Sequence, residues 1–127
     1  MSTRNPYDVA VQVQSFYLPE QSEPEAQRFA FAYTVRLHNA GDVAARLLSR
    51  HWLITDADGH TEEVRGDGVV GVQPLIQPGE RYEYTSGAIL KTSLGTMEGS
   101  YEMQAVDGTR FAAAIPAFVL SVPRVLH

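Results

Sequence analysis

Gly66-Asp67-Gly68-Val69-Val70-Gly71 is the one stretch whose residue types and spacing match a route to chemistry. It spells G-x-G-x-x-G. In dinucleotide-binding folds such a stretch leaves a strand and opens a helix, whose N-terminal backbone N–H groups hold a pyrophosphate. The residues after Gly68 work against a helix. Val69, Val70 and Val72 are β-branched, and Pro74 stops a helix within a turn. Asp67 would also place negative charge inside the cradle. Two readings stay open: a glycine-shaped structural loop, or a backbone nest that binds an anion without a helix, assisted by Arg65 or Arg81.

The other chemical candidates are thinner. Asp56, Asp58 and Gly59 resemble the opening of a calcium loop, but the third acidic position and the closing Glu are missing. His38, His51, His60 and His127 have no paired spacing, so no metal site is expected. The glutamates at 20, 23 and 25 read as a solvated loop. Ser86-Gly87 is not a G-x-S-x-G elbow. The chain has no Cys, which removes disulfides, thiolate catalysis and cysteine zinc sites. No cofactor is expected, and no enzyme.

The elements that must position these residues read as strands. Phe29, Phe31, Tyr33, Val35 and Leu37 alternate with Ala, Thr, Arg and His over the longest clean period of two. Val9, Val11 and Val13 alternate likewise, and the parity change at Phe16-Tyr17-Leu18 suggests a bulge near Ser15. Ala45 to Thr55 is a strand in which Leu48, Trp52 and Ile54 share one parity, interrupted by Arg50. Leu47, His51 and Leu53 share the other. Asp58-Gly59 and Asp107-Gly108 are hairpin signals, and Pro78-Gly79 is a turn. Thr61 to Arg65 is charged, as suits an edge strand. Gly66 to Gln77 reads as a loop, and Leu90 to Glu98 as a crossing loop. A last alternation runs through Pro116, which belongs at an edge or a bulge. Residues 123–127 are expected to fray. About seven strands with turns between them and no helix point to an all-β antiparallel β-sandwich, immunoglobulin-like or fibronectin type III-like, forming a single domain over 1–127.

Composition bounds the partners. Ten Lys plus Arg against fifteen Asp plus Glu give a formal charge of -5. Nucleic acid and anionic membrane are therefore not expected partners. No signal peptide and no long apolar run is visible, so a soluble, cytoplasmic protein is expected.

Across nearly the whole chain the sequence resembles the bacterial ApaG family. The matching residues are Tyr17-Leu18, Glu20-Gln21-Ser22, Phe31-Ala32-Tyr33, Arg50-His51-Trp52, Asp56-Ala57-Asp58-Gly59, Val69-Val70-Gly71, Gln73-Pro74, Pro78-Gly79-Glu80, Tyr84-Thr85-Ser86-Gly87, Met97-Glu98-Gly99-Ser100-Tyr101 and Ile115-Pro116-Ala117-Phe118. The resemblance implies a fibronectin type III-like sandwich. It also implies an association with cobalt resistance and magnesium efflux, and a gene that often neighbours a diadenosine tetraphosphate hydrolase. The same domain in eukaryotic F-box proteins and a polymerase-δ-interacting protein looks like a protein-interaction module. The resemblance names no catalytic residue.

The resulting expectation is a non-enzymatic module with an unidentified protein partner, a second copy of the chain included. The alternative is nucleotide or pyrophosphate binding by Gly66–Gly71. Trp52 should lie between the sheets. Leu47, His51 and Leu53 form the candidate interaction surface, because two leucines left in water would forgo roughly 1.5–3 kcal/mol each.

Overall fold

The computed structural model describes residues 5–123. Among them are the strands β1 Val9–Tyr17, β2 Phe29–Asn39, β3 Ala45–Asp56, β4 Thr61–Asp67, β5 Leu75–Ile76, β6 Arg81–Leu90, β7 Leu94–Ala105 and β8 Arg110–Ser121. Two single 3-10 turns, at Pro19–Gln21 and Pro24–Ala26, are the only helical residues described. The chain alternates apolar and polar residues, and all strand pairing between these elements is antiparallel.

One sheet has the order β1-β2-β6; the other has β4-β3-β7-β8, with β5 pairing β3 beyond the end of β4. The sheets face each other as the expected β-sandwich. Phe31, Tyr33, Val35 and Leu37 of β2 pack inward, as their alternation requires. Trp52 is 2% exposed and stands 5.3 Å from the Tyr33 ring. It is edge-on to Tyr101 and Phe118, an arrangement favoured by the ring quadrupoles.

The two lateral sides of the sandwich differ. On one, β1 meets β8, and Ser15 Oγ donates to the Val119 carbonyl at 2.8 Å. On the other, β4 and β6 are the outermost strands of their sheets and do not pair with each other.

Four sequence expectations change. Leu47 is not on the outer face: it is 0% exposed and belongs to the core. The β3–β7 register slips between Leu47 and Ser49, so Leu48 is the extra residue of a bulge and inverts the parity on one side of it. Leu47 and Trp52, five apart, therefore both point inward. No bulge interrupts β1, whose register with β2 is continuous; Phe16 is simply an outward aromatic, 45% exposed. Leu90 to Glu98 is mostly strand: β7 begins at Leu94, and a register slip between Met97 and Gly99 hides its period. The 66–77 segment likewise holds the end of β4 and the two-residue β5. Pro116 does sit on an edge strand, β8, opposite that slip. Beyond Pro123 the fraying expectation lies outside the described residues.

Candidate functional site

The glycine motif is organised by an arginine. Arg50 lies on β3 with the inward parity of Trp52, and its cross-strand neighbour on β4 is Gly66. A Cβ on Gly66 would stand 2.7 Å from the guanidinium carbon. The missing side chain is what lets the guanidinium lie flat across β4. Nη1 then donates to the carbonyls of Asp67 and Gly68, both at 2.9 Å.

Past Asp67 the chain reverses in a two-residue hairpin. Val69 and Val72 exchange both backbone hydrogen bonds, at 2.8 and 3.0 Å. Val70 (φ 48°) and Gly71 (φ 77°) form its tip. Positive φ at both central residues is a type I′ turn, which ordinarily takes Asn-Gly. No helix begins at Val69. Gly68 is also left-handed, at φ 62°, and a Cβ there would meet the Val72 carbonyl oxygen at 2.4 Å. The three motif glycines thus serve three purposes: seating a guanidinium, passing beneath a carbonyl, and completing a turn. Val70 is the anomaly, a β-branched residue held in left-handed backbone with its side chain 65% exposed.

Three of the loop amides are spent. Gly68 N–H donates to the Leu48 carbonyl at 2.8 Å, and the Val69 and Val72 amides close the hairpin. What the loop offers Arg50 is carbonyl oxygen. A phosphate cradle needs the opposite polarity.

Behind Arg50 lie three tyrosines. Burial pushes the Tyr33 hydroxyl above the ordinary tyrosine range, and its hydrogen bond to Ser86 works in the opposite sense. Tyr84 and Tyr101 share a hydrogen bond between their hydroxyls, and burial raises both. The Arg50 charge favours ionisation of all three, but burial prevails. Among the described residues no carboxylate forms an ion pair with Arg50.

Between the unpaired edges of β4 and β6 runs a groove. Trp52 and Tyr33 line it, with Glu62 and Val64 on the β4 side and Ser86 and Ile89 on the β6 side. Arg50, Tyr33 and Ser86 also line the adjoining hollow that ends at Val70 and Gly71. The glycine loop and the inter-sheet groove therefore meet at Arg50.

The outer-face candidates fall elsewhere. His51 Nε2 lies 2.7 Å from Glu63 Oε1, and Arg65 donates to the same oxygen at 2.6 Å. The Arg65 hydrogen bond first, then that of His51, holds the Glu63 carboxyl below its usual range. Leu53 is half-buried, with Glu63 and Glu98 as cross-strand neighbours. With Leu47 inside, Leu53 is the one apolar side chain left of the three candidates, and its cross-strand neighbours are charged.

Asp56, Asp58 and His60 bring possible ligand atoms within 4.8 Å of one another. The hairpin turn accounts for their approach. Asp56 Oδ1 accepts the backbone N–H groups of Asp58 and His60 at 2.9 and 3.0 Å, around Gly59 at φ 84°.

The ApaG domain pattern matches residues 19–105. The chain is 56% identical to Protein ApaG of Nitrosomonas europaea over 127 residues, covering all of both chains.

The chain belongs to the ApaG family.

It is 61% identical to Protein ApaG of Pseudomonas paraeruginosa over 121 residues, 95% of this chain and 96% of that one. A crystal structure of a Bordetella pertussis protein described as ApaA superposes with a TM-score of 0.93 at 50% identity, covering 97% of this chain and all of that one. The ApaG names specify no reaction. Among the described residues no helix is long and apolar enough to cross a membrane.

Sequence reasoning missed Arg50, Tyr33 and Ser86 as a group. The available signal was Arg50 itself, a charge on the inward parity of an apolar strand. The register that puts Gly66 across from it is visible only in the fold.

Proposed function

We propose that this ApaG domain is a non-enzymatic binding module that takes a partner protein at the open side of its sandwich. The observation that carries the reading is the pair of unpaired strand edges, β4 and β6, flanking an aromatic-lined groove. An extended segment can add to such an edge through main-chain hydrogen bonds, with side chains seated in the groove for specificity. The polar groups there suit holding more than proton transfer: a guanidinium, and phenols whose pKa lies far above neutrality. In this reading the family association with cobalt resistance and magnesium efflux passes through the partner, in the cytoplasm, and not through an ion bound by the chain.

The test compares affinity capture by the wild type, Ile89→Asp and Val106→Asp. Ile89 stands at the groove; Val106 is an exposed valine after β7 and does not line it. The expected result is one partner held by the wild type and Val106→Asp, and lost by Ile89→Asp at unchanged melting temperature. Equal capture by all three would overturn the reading. The nucleotide alternative draws less support, since the Gly68, Val69 and Val72 amides already have acceptors. Amide shifts confined to Gly66–Gly71 on adding a diadenosine polyphosphate would restore it.

A further inference from the structure

The geometry points to Arg50 as the anchor for a carboxylate: an Asp or Glu side chain of an extended partner segment, entering between β6 and the glycine loop. This rests on the protein-binding reading above and names the chemistry the partner must present.

A guanidinium drawn in between sheets ordinarily faces an acid, because an uncompensated buried charge is expensive. Arg50 is half-buried and sits among neutral partners. Two carbonyls take its Nη1, and three phenols lie near enough for its charge to act on them. Among the described residues no carboxylate reaches it. Both carbonyl bonds use that one nitrogen, which leaves donor capacity at Nε and Nη2. Its position is fixed rather than adventitious. Gly66 gives it a flat seat, and the loop carbonyls hold one end of the fork. A planar, preorganised fork matches a carboxylate through two parallel hydrogen bonds.

The neighbourhood chooses among anions. One guanidinium balances a single negative charge, and the other polar side chains lining this end of the groove are the Asp67 carboxylate and the hydroxyls of Tyr33, Tyr84, Thr85 and Ser86. Asp67 in this hollow and Glu62 in the groove oppose a dianion more strongly than a monoanion. Of the loop amides that could have supplemented Arg50 for a phosphate, those of Gly68, Val69 and Val72 are engaged. A monoanionic carboxylate flanked by apolar atoms fits best, since Trp52, Val64 and Ala88 wall the groove beside it.

Trp52 is the only tryptophan and lines the groove with Arg50, so its fluorescence and indole N–H resonance report on the site. The experiment titrates the full chain with two terminally blocked peptides, identical but for a central Glu or Gln, at fixed ionic strength, with phosphate and chloride in parallel. The expected result is saturable shifts at the Arg50 Nε–H, the Trp52 indole and the Ser86 amide with the Glu peptide. The Gln peptide should bind about tenfold or more weakly, the effect of one charge-assisted pair. Arg50→Gln should abolish the difference between the peptides. Should Arg50→Gln not fold, Arg50→Lys keeps the charge without the fork and should lose most of the discrimination. Equal binding of the two peptides, tighter binding of phosphate, or a Glu preference that survives both substitutions would each overturn the carboxylate assignment. Failure here with partner capture still sensitive to Ile89→Asp would leave the open-edge reading intact and remove only its chemistry.

Discussion

Val70→Asn should make this protein more stable. Val70 occupies the first central position of a type I′ turn at φ 48°. Left-handed backbone costs an L-residue roughly 1–2 kcal/mol, and a β-branched side chain is among the least tolerant. Asn adopts this conformation readily and is the favoured residue at this turn position. Against the gain stands the lost burial of Val70. The side chain is 65% exposed, so only about a third of its worth is at stake, roughly 0.5–1 kcal/mol. The net expectation is a gain of about 1 kcal/mol, or about 3–5 °C in a domain of this size. Paired thermal and urea melts measure it. Val72→Asn is the control, because Val72 is 48% exposed but outside the positive-φ set, and it should gain nothing. If Val70→Asn melts at or below the wild type, the strain does not exist and the turn is not of type I′. A strained residue kept with an exposed apolar side chain is the signature of a site with another use. Val70→Asn should therefore weaken partner capture while raising the melting temperature.

Two more outcomes rest on burial. Leu47→Asp should unfold the domain, since a carboxylate at a 0% exposed core position has no partner. Leu53→Asp on the half-buried outer side should fold, and circular dichroism of the two variants separates them; equal tolerance would refute the bulge-inverted parity. Above neutrality, Tyr33, Tyr84 and Tyr101 set the alkaline limit. Their folded-state pKa values are raised by burial, so their contribution is complete below the unfolded value near pH 10. As pH climbs past that, the unfolded chain loses these protons and the folded one keeps them. Stability then falls by about 1.4 kcal/mol per pH unit for each tyrosine. Urea midpoints from pH 9 to 11 should drop, and tyrosinate absorbance of these three should appear only with unfolding. All six tyrosines ionising together near pH 10 with the fold intact would contradict the burial described.

Much of the fold is written in local period. The Phe29–Leu37 alternation and the glycine-containing turns at 58–59, 78–79 and 107–108 lie where their residue types dictate. What the period cannot show is a slip in register. One residue at Leu48 turns Leu47 from an outward candidate into a core side chain, and another slip near Glu98 erases the pattern of β7. The site was half legible for a related reason. G-x-G-x-x-G fixes where backbone freedom is needed but not what it serves. Gly66 exists for Arg50, sixteen positions earlier, and that relation is made by strand pairing. Arg50 was visible only as an interruption in an apolar parity, and an inward charge reads as noise until its surroundings are known.

The closed side of the sandwich also shapes how the molecule is made. β1 and β8 lie near opposite ends of the sequence, and the Ser15–Val119 bond spans more than a hundred residues. Synthesis delivers β1 first and β8 last, at about 5–20 residues per second. For most of that interval β1 has β2 on one side and a bare backbone row on the other. The nascent chain must wait for its final strand before that edge is shielded. Emergence of β8, and not of β2 and β3, is the moment at which the sandwich can close.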